Sequence, residues 1–292
     1  MQKIIDISHY QTVTDWTKVK NSVHAIILKA TQGHGLTSTS YLFTDSKFHE
    51  YAKACIRHNI PFGAYHFFTG RTEKDAIEEA DYFAKVLAPY KDRIMYAVCD
   101  AENYNNKWLL GLTKNQLSAN ITAFCRRMEK HGYYAAHYTN TDHIRSYIDI
   151  KRIPYPVWQA QYSNSRPQDA GDNLIAWQYT DKGKVSGIRE NVDMNLGYID
   201  KTAFAIMKLC AVNVIDTPAY WREHCRDVQY LDLFLYRAAN KIKKAGTPCK
   251  TLDEALDKLT KAGLLNTPDH WRKKAPAVKY LTELFKKIGG SL

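Results

Sequence analysis

Two rhythms of apolar residues run along this 292-residue chain. Short runs rich in β-branched and aromatic residues recur to about residue 195, and such runs read as buried strands. They are residues 3–7, 24–30, 60–68, 94–100, 133–138, 157–162, 174–179 and 191–194. Between them lie segments of helical period. Residues 45–58 place Phe48, Tyr51, Ala52, Cys55 and Ile56 on one face. A second helix is expected over 73–86, ahead of Pro89, and a third over 113–131, opened by a Thr113/Gln116 capping box. Strand and helix alternate at intervals of roughly 20 to 40 residues, and after about residue 140 the strands crowd together. The pattern predicts an α/β fold, a barrel whose late helices are shortened or missing.

Beyond about residue 210 the strand alternation stops and Lys and Leu dominate. A repeat with a period of 50 appears, Thr217-Pro-Ala-Tyr-Trp-Arg222 matching Thr267-Pro-Asp-His-Trp-Arg272. Each Thr-Pro reads as a helix start, with longer helices expected over 226–244 and 275–288. Thr251 and Glu254 form a capping box for a helix over 252–262 that stops at Gly263. The expected organisation is a barrel over 1–203, a linker over 204–214 and a small all-α domain over 215–292. Trp221 and Trp271 are its conspicuous aromatics, as core anchors or as exposed binding residues.

Composition narrows the function classes. An apolar fraction of 45% supports a sizeable core. No run reaches the roughly 18 apolar residues of a membrane span. The start, MQKIIDISHY, lacks the apolar core of a secretory signal, so the expected location is a cytoplasm, with external targets reached by another route. The six cysteines show neither C-x-x-C pairs nor zinc spacing, so free thiols, no metal and no cofactor are expected. Net charge is +11, of which residues 211–292 supply +6, from 15 Lys and Arg against 9 Asp and Glu. An anionic partner follows. Nucleic acid, acidic lipid and an anionic polymer of a cell envelope all fit, and charge does not choose among them, although no nucleic-acid motif accompanies it; a dimerising helical module is another reading of the tail.

The strand over 94–100 ends in two acids, Asp100 and Glu102. Residues i and i+2 of a strand share a face, roughly 7 Å apart along the chain, and the carboxyl ends of barrel strands carry the chemistry of such folds. Paired carboxyl groups there suit glycoside hydrolysis. Other strands also end in polar or aromatic residues, namely Asp6, Lys29, Tyr65, Tyr138, Gln161, Gln178 and Asp193.

Longer motifs surround these positions. Asp-Ile-Ser-His-Tyr-Gln at 6–11, Ile-Leu-Lys-Ala-Thr at 27–31, Gly-Ala-Tyr-His-Phe at 63–67 and Asp-Ala-Glu at 100–102 come in order. Tyr-Thr-Asn at 138–140, Trp-Gln-Ala-Gln-Tyr at 158–162, Trp-Gln-Tyr at 177–179 and Asn-Val-Asp-Met-Asn at 191–195 follow. The set resembles glycoside hydrolase family 25, the lysozymes of phage and bacterial muramidase type, over residues 1 to about 200. The resemblance implies a flattened, irregular β/α (TIM-like) barrel that cleaves the β-1,4 bond between N-acetylmuramic acid and N-acetylglucosamine in peptidoglycan. Gln32 stands where the family usually has Glu, and Ala101 replaces a more common aliphatic residue.

On this reading Glu102 is the general acid, kept protonated by burial or neighbouring carboxylates. Asp100 is expected to stay ionised, orienting the substrate's N-acetyl group or activating water. Asp6 and Asp193 complete the catalytic set. Lys29, Tyr65, Phe67, Tyr138, Trp158 and Gln161 are the expected substrate contacts, and Trp221 and Trp271 the candidate wall contacts. His66 and His137 alternate with site residues along their strands and are expected to pack. The whole chain then reads as an endolysin that waits in a host cytoplasm for a holin-like pore and reaches the wall through its C-terminal module. Met207 is a candidate internal start that would release that module alone. The rival readings are a non-catalytic wall-binding protein on the same barrel and a basic, nucleic-acid-associated protein.

Overall fold

A computed structural model describes residues 2–33, 42–91, 93–102, 109–198, 209, 214, 231–241, 248–266, 268–272, 284, 287 and 288. Nine strands make one sheet: β1 (Gln2–Ile7), β2 (Ala25–Gln32), β3 (Phe43–Thr44), β4 (Phe62–Phe67), β5 (Ile94–Asp100), β6 (Ala135–Asn140), β7 (Val157–Ala160), β8 (Leu174–Gly183) and β9 (Val192–Gly197). The spatial order is β1-β9-β8-β7-β6-β5-β4-β2-β3, and β1 also pairs with β2. That pairing closes eight strands into a barrel, with β3 appended to the carboxyl end of β2. Seven barrel strands run parallel, and β9 runs against both its neighbours. The amino end of β9 therefore shares a rim with the carboxyl ends of the others, which is where Asp193 lies.

Helices α1 (Trp16–Ser22), α2 (Phe48–Arg57), α3 (Glu73–Leu87) and α4 (Lys114–Lys130) fall among the first six strands. Outward-facing Ile5, Ile7, Ile26, Leu28, Phe62, Ala64, Ala97 and Cys99 share one core cluster with Val19, Phe48, Cys55, Phe83, Leu87 and Phe124 of those helices. Because side chains alternate across a strand, the intervening residues point into the barrel. After β6 the connections shrink to a single turn, α5 (Thr141–Ser146), and short 3-10 turns at 150–152 and 171–173. The expected loss of late helices is borne out.

Thr113 and Gln116 cap α4 reciprocally, as their spacing predicts, and Thr72 and Asp75 cap α3 the same way. The helix expected from residue 45 begins at Phe48. Asp45 is drawn out of it, since its backbone N–H bonds Ala30 and its carboxylate accepts from the Lys47 N–H and from His9. Neither α1 nor α5 is foreseen in the pattern, because helices of seven and six residues are too short to show a period.

Behind the barrel, His66 bonds Thr31 Oγ1 at 2.7 Å and Glu79 Oε2 at 2.7 Å, and Glu79 also accepts from the N–H and hydroxyl of Thr69. This buried cluster ties the carboxyl ends of β2 and β4 to α3. Gly33 presses against it, and any Cβ there would collide with Glu79 and Thr69. His66 and His137 are both fully buried. Cys55, Cys99, Cys125 and Cys249 are buried, and Cys55, Cys99 and Cys249 are free thiols.

The chain divides into two compact units, residues 1–199 and 200–292. The second contains α6 (Leu231–Lys241), α7 (Leu252–Lys261) and α8 (Pro268–Arg272). Thr251 and Glu254 cap α7 reciprocally, and Gly263 follows its end at φ +72°. Phe234, Leu235, Ala238, Leu256, Leu259 and Trp271 are buried there. Trp271 is 5% exposed, which fits the first of its two readings, a core anchor, and not the second, an exposed wall contact. Trp221, Met207, most of the 204–214 linker and most of the helix expected over 275–288 lie outside the described residues.

Candidate active site

Four carboxyl groups and one ammonium meet at the mouth of the barrel. β1 supplies Asp6 and β9 supplies Asp193, which are direct partners across the antiparallel ladder. The side chains of paired residues share a face, and here they hydrogen-bond to each other. Asp6 Oδ2 also accepts from Asn195 Nδ2 at 2.8 Å and from Gln178 Nε2 at 3.2 Å. Burial, then the charge of Asp193, push Asp6 well above the usual carboxylate range, and the two amides offset this in part. The hydrogen bond between them raises Asp6 and lowers Asp193. Asp193 is itself raised, by burial, with the Asp6 hydrogen bond pulling the other way.

β5 ends in Asp100, with Glu102 two residues on. Burial raises Glu102 to about 7, helped by the charge of Asp193 and opposed by Lys29. Asp100 is raised well above its ordinary value, first by burial and then by Glu102. Its Oδ1 is buried with no hydrogen-bond partner among the described residues. Asp100 was expected to stay ionised; burial and Glu102 instead favour its protonated form, and the charge of Lys29 opposes them. Lys29 faces Asp100, Asp45 and Glu102, and burial lowers its own pKa. Its Nζ lies 5.1 Å from the centre of the Phe67 ring.

The aromatics form a wall. Tyr138 and Trp158 meet edge to face with centroids 4.5 Å apart, and Tyr65 meets Trp158 at 6.2 Å. Trp158 is only 2% exposed, which corrects its reading as a sugar contact. Its indole N–H instead donates to Asn195 Oδ1 at 2.7 Å and so holds the amide that holds Asp6. Gln178 is a second hub, its Oε1 accepting from Tyr138 at 2.9 Å and from Tyr162 at 3.2 Å. Asn195 was legible two residues after Asp193 on the same strand face, while the roles of Gln178 and Tyr162 depend on tertiary contacts. Beside Glu102 opens a cavity of about 700 Å³ whose lining includes Tyr138, Asn140, His143, Gln161 and Tyr162. Gln161 is fixed at its edge, accepting from Thr141 Oγ1 at 3.0 Å and donating to Ser163 Oγ at 2.9 Å. Trp221 lies outside the described residues, and Trp271 belongs to the other unit.

Residues 5–188, most of the barrel, match the family described as Glycosyl hydrolases family 25. The chain belongs to this family. It is 28% identical over 203 residues to lysozyme M1 of Streptomyces globisporus, covering 65% of this chain and 66% of that protein. Among solved structures, the spore cortex lytic enzyme SleM of Clostridium perfringens is similar, with a TM-score of 0.59 and 28% identity over 67% of each chain. The CTP1L endolysin superposes with a TM-score of 0.54 and 25% identity, covering 68% of this chain and 66% of its own.

Family membership makes this chain a glycoside hydrolase, and the geometry shows which groups can serve it. A family 25 enzyme of this construction has an acid that holds a proton near neutrality in Glu102. It has a buried carboxyl with a free oxygen in Asp100, and an aromatic wall against which a pyranose ring can rest. Among the described residues no group of three His, Cys, Asp or Glu side chains could hold a metal ion.

Proposed function

We propose that this enzyme is an N-acetylmuramidase that cleaves the β-1,4 bond between N-acetylmuramic acid and N-acetylglucosamine in peptidoglycan. The observation that carries the reading is the elevation of Glu102 to about 7 beside a second buried carboxyl group. A general acid works best with a pKa near the working pH. Glu102 protonates the departing glycosidic oxygen, and Asp193 keeps its proton affinity high. Asp100 offers Oδ1 to the substrate's acetamido N–H, which aligns the acetamido oxygen behind the anomeric carbon. Tyr65 and Tyr138 border the sugar, and Lys29 counters the negative charge that accumulates when Glu102 gives up its proton. A non-catalytic wall-binding role on the same barrel would have no use for an acid tuned this way.

Beyond the bond cleaved, we infer an endolysin of phage type, released to the wall at lysis and directed there by the helical unit. The +6 charge of residues 211–292 supports attraction to an anionic wall polymer. The likeness to an endolysin whose activity is regulated by a secondary translation product supports Met207 as an internal start. A second expression product beginning at Met207 is its test, and the absence of that product refutes it.

The muramidase reading is tested on purified Gram-positive walls with wild type and Glu102→Gln, identifying new reducing ends by mass spectrometry. Muramic-acid ends that vanish in the variant are expected. Glucosamine ends, free amines or no cleavage overturn the reading.

A further inference from the structure

Lys29 lowers the proton affinity of both Asp100 and Glu102, and the structure shows what restrains it. Its Nζ donates to Oε1 of Gln32 at 2.9 Å, a neutral amide rather than a carboxylate. Residues three apart on a regular strand face opposite sides, so Lys29 and Gln32 would not ordinarily meet. The register of β2 against β4 slips between Lys29 and Thr31. A bulge of this kind re-aims the side chains that follow it and recurs beside active sites. The re-aimed segment is then pinned from both sides: Thr31 Oγ1 bonds buried His66, and the Gly33 N–H donates to Phe67 O at 2.9 Å.

We propose that Gln32 is a positioning residue for the acid pair: the bulge turns its amide onto Lys29, restraining the ammonium short of the carboxylates while leaving its charge uncompensated. The inference rests on the reading of Glu102 as the general acid. Glu102 meets Asp100 from its own strand's end, Asp193 from β9, Lys29 from β2, Tyr138 from β6 and Tyr162 from the segment after β7. Lys29 is attracted in addition by Asp45. In this set Gln32 contributes no charge. It decides where the single ammonium rests.

The test is a ¹³C-carboxyl NMR titration of Glu102 in the full-length protein, which needs no substrate and stands even if the muramidase reading fails. Gln32→Glu keeps an acceptor for Lys29 but cancels its charge, and Glu102 should titrate about half a unit or more higher. Gln32→Met removes the acceptor and keeps the position neutral, so the freed ammonium approaches the carboxylates and Glu102 titrates lower. The alkaline limb of kcat/KM on walls should follow each shift. Opposite shifts support the proposal, as does the downward shift alone should the Glu variant not fold. No shift in the Met variant, or shifts of one sign in both, overturns it.

Discussion

Asp193 faces Asp6 across the β1–β9 ladder, and the hydrogen bond between the two acids raises Asp6 and lowers Asp193. The charge of Asp193 bears in turn on Glu102 and is the largest charge effect raising that group to about 7. Asp193→Asn removes it, and the Glu102 pKa should fall. Because Glu102 acts in its protonated form, the alkaline limb of the kcat/KM profile should move down by about one unit, with activity at the acid side retained far better than at pH 8. A profile of unchanged shape and lower height would show that Asp193 acts in some other way.

Asn195 joins two buried groups, accepting from the Trp158 indole and donating to Asp6. Asn195→Ala leaves an indole N–H without its acceptor and Asp6 without one of its donors. A buried polar group deprived of its partner costs about 1–3 kcal/mol. The thermal midpoint should fall accordingly, and kcat should fall with it as Asp6 loses its orientation. Asn195→Asp restores the acceptor but adds a negative charge beside Asp6, so it should rescue neither stability nor activity at neutral pH.

The barrel was legible because its strands alternate, its long helices carry amphipathic faces, and the Thr113/Gln116 box marks a helix start by spacing alone. The meeting of Asp6, Lys29, Asp100, Glu102 and Asp193 at one rim follows from strand ends, a local signal, combined with the barrel that the alternation of strand and helix predicts and the family resemblance supports. Three features escaped for physical reasons. The upward shift of Asp100 depends on burial and on the closeness of Glu102, which are tertiary facts. Trp158 alternates like a surface aromatic but is covered by Tyr65 and Tyr138. The Lys29–Gln32 contact requires a bulge, which period-two reasoning assigns to opposite faces.

Trp271 is buried within the helical unit rather than presented on it. Trp271→Ala should therefore destabilise that unit by about 3–5 kcal/mol, as for other buried aromatics. The loss should appear as an early transition in calorimetry that leaves the barrel transition in place. Wall affinity should fall only in proportion to the unfolded fraction. A variant that melts like wild type yet binds walls poorly would return Trp271 to the role of a contact.

Acid groups raised by burial make the site a source of instability at alkaline pH. A carboxyl whose folded pKa exceeds its unfolded value contributes stability below the unfolded pKa, and loses it as pH rises through the folded one. For Glu102 that window runs from 4.5 to about 7, and Asp6 and Asp100 act in the same direction. Glu102→Gln, neutral at every pH, should escape the penalty. At pH 8 it should be more stable than wild type by on the order of 2–3 kcal/mol, and at pH 4 the difference should vanish while activity is lost throughout. Urea unfolding of both proteins at the two pH values measures this directly. A stability gain of equal size at pH 4 and pH 8 would trace the effect to packing rather than to the trapped proton.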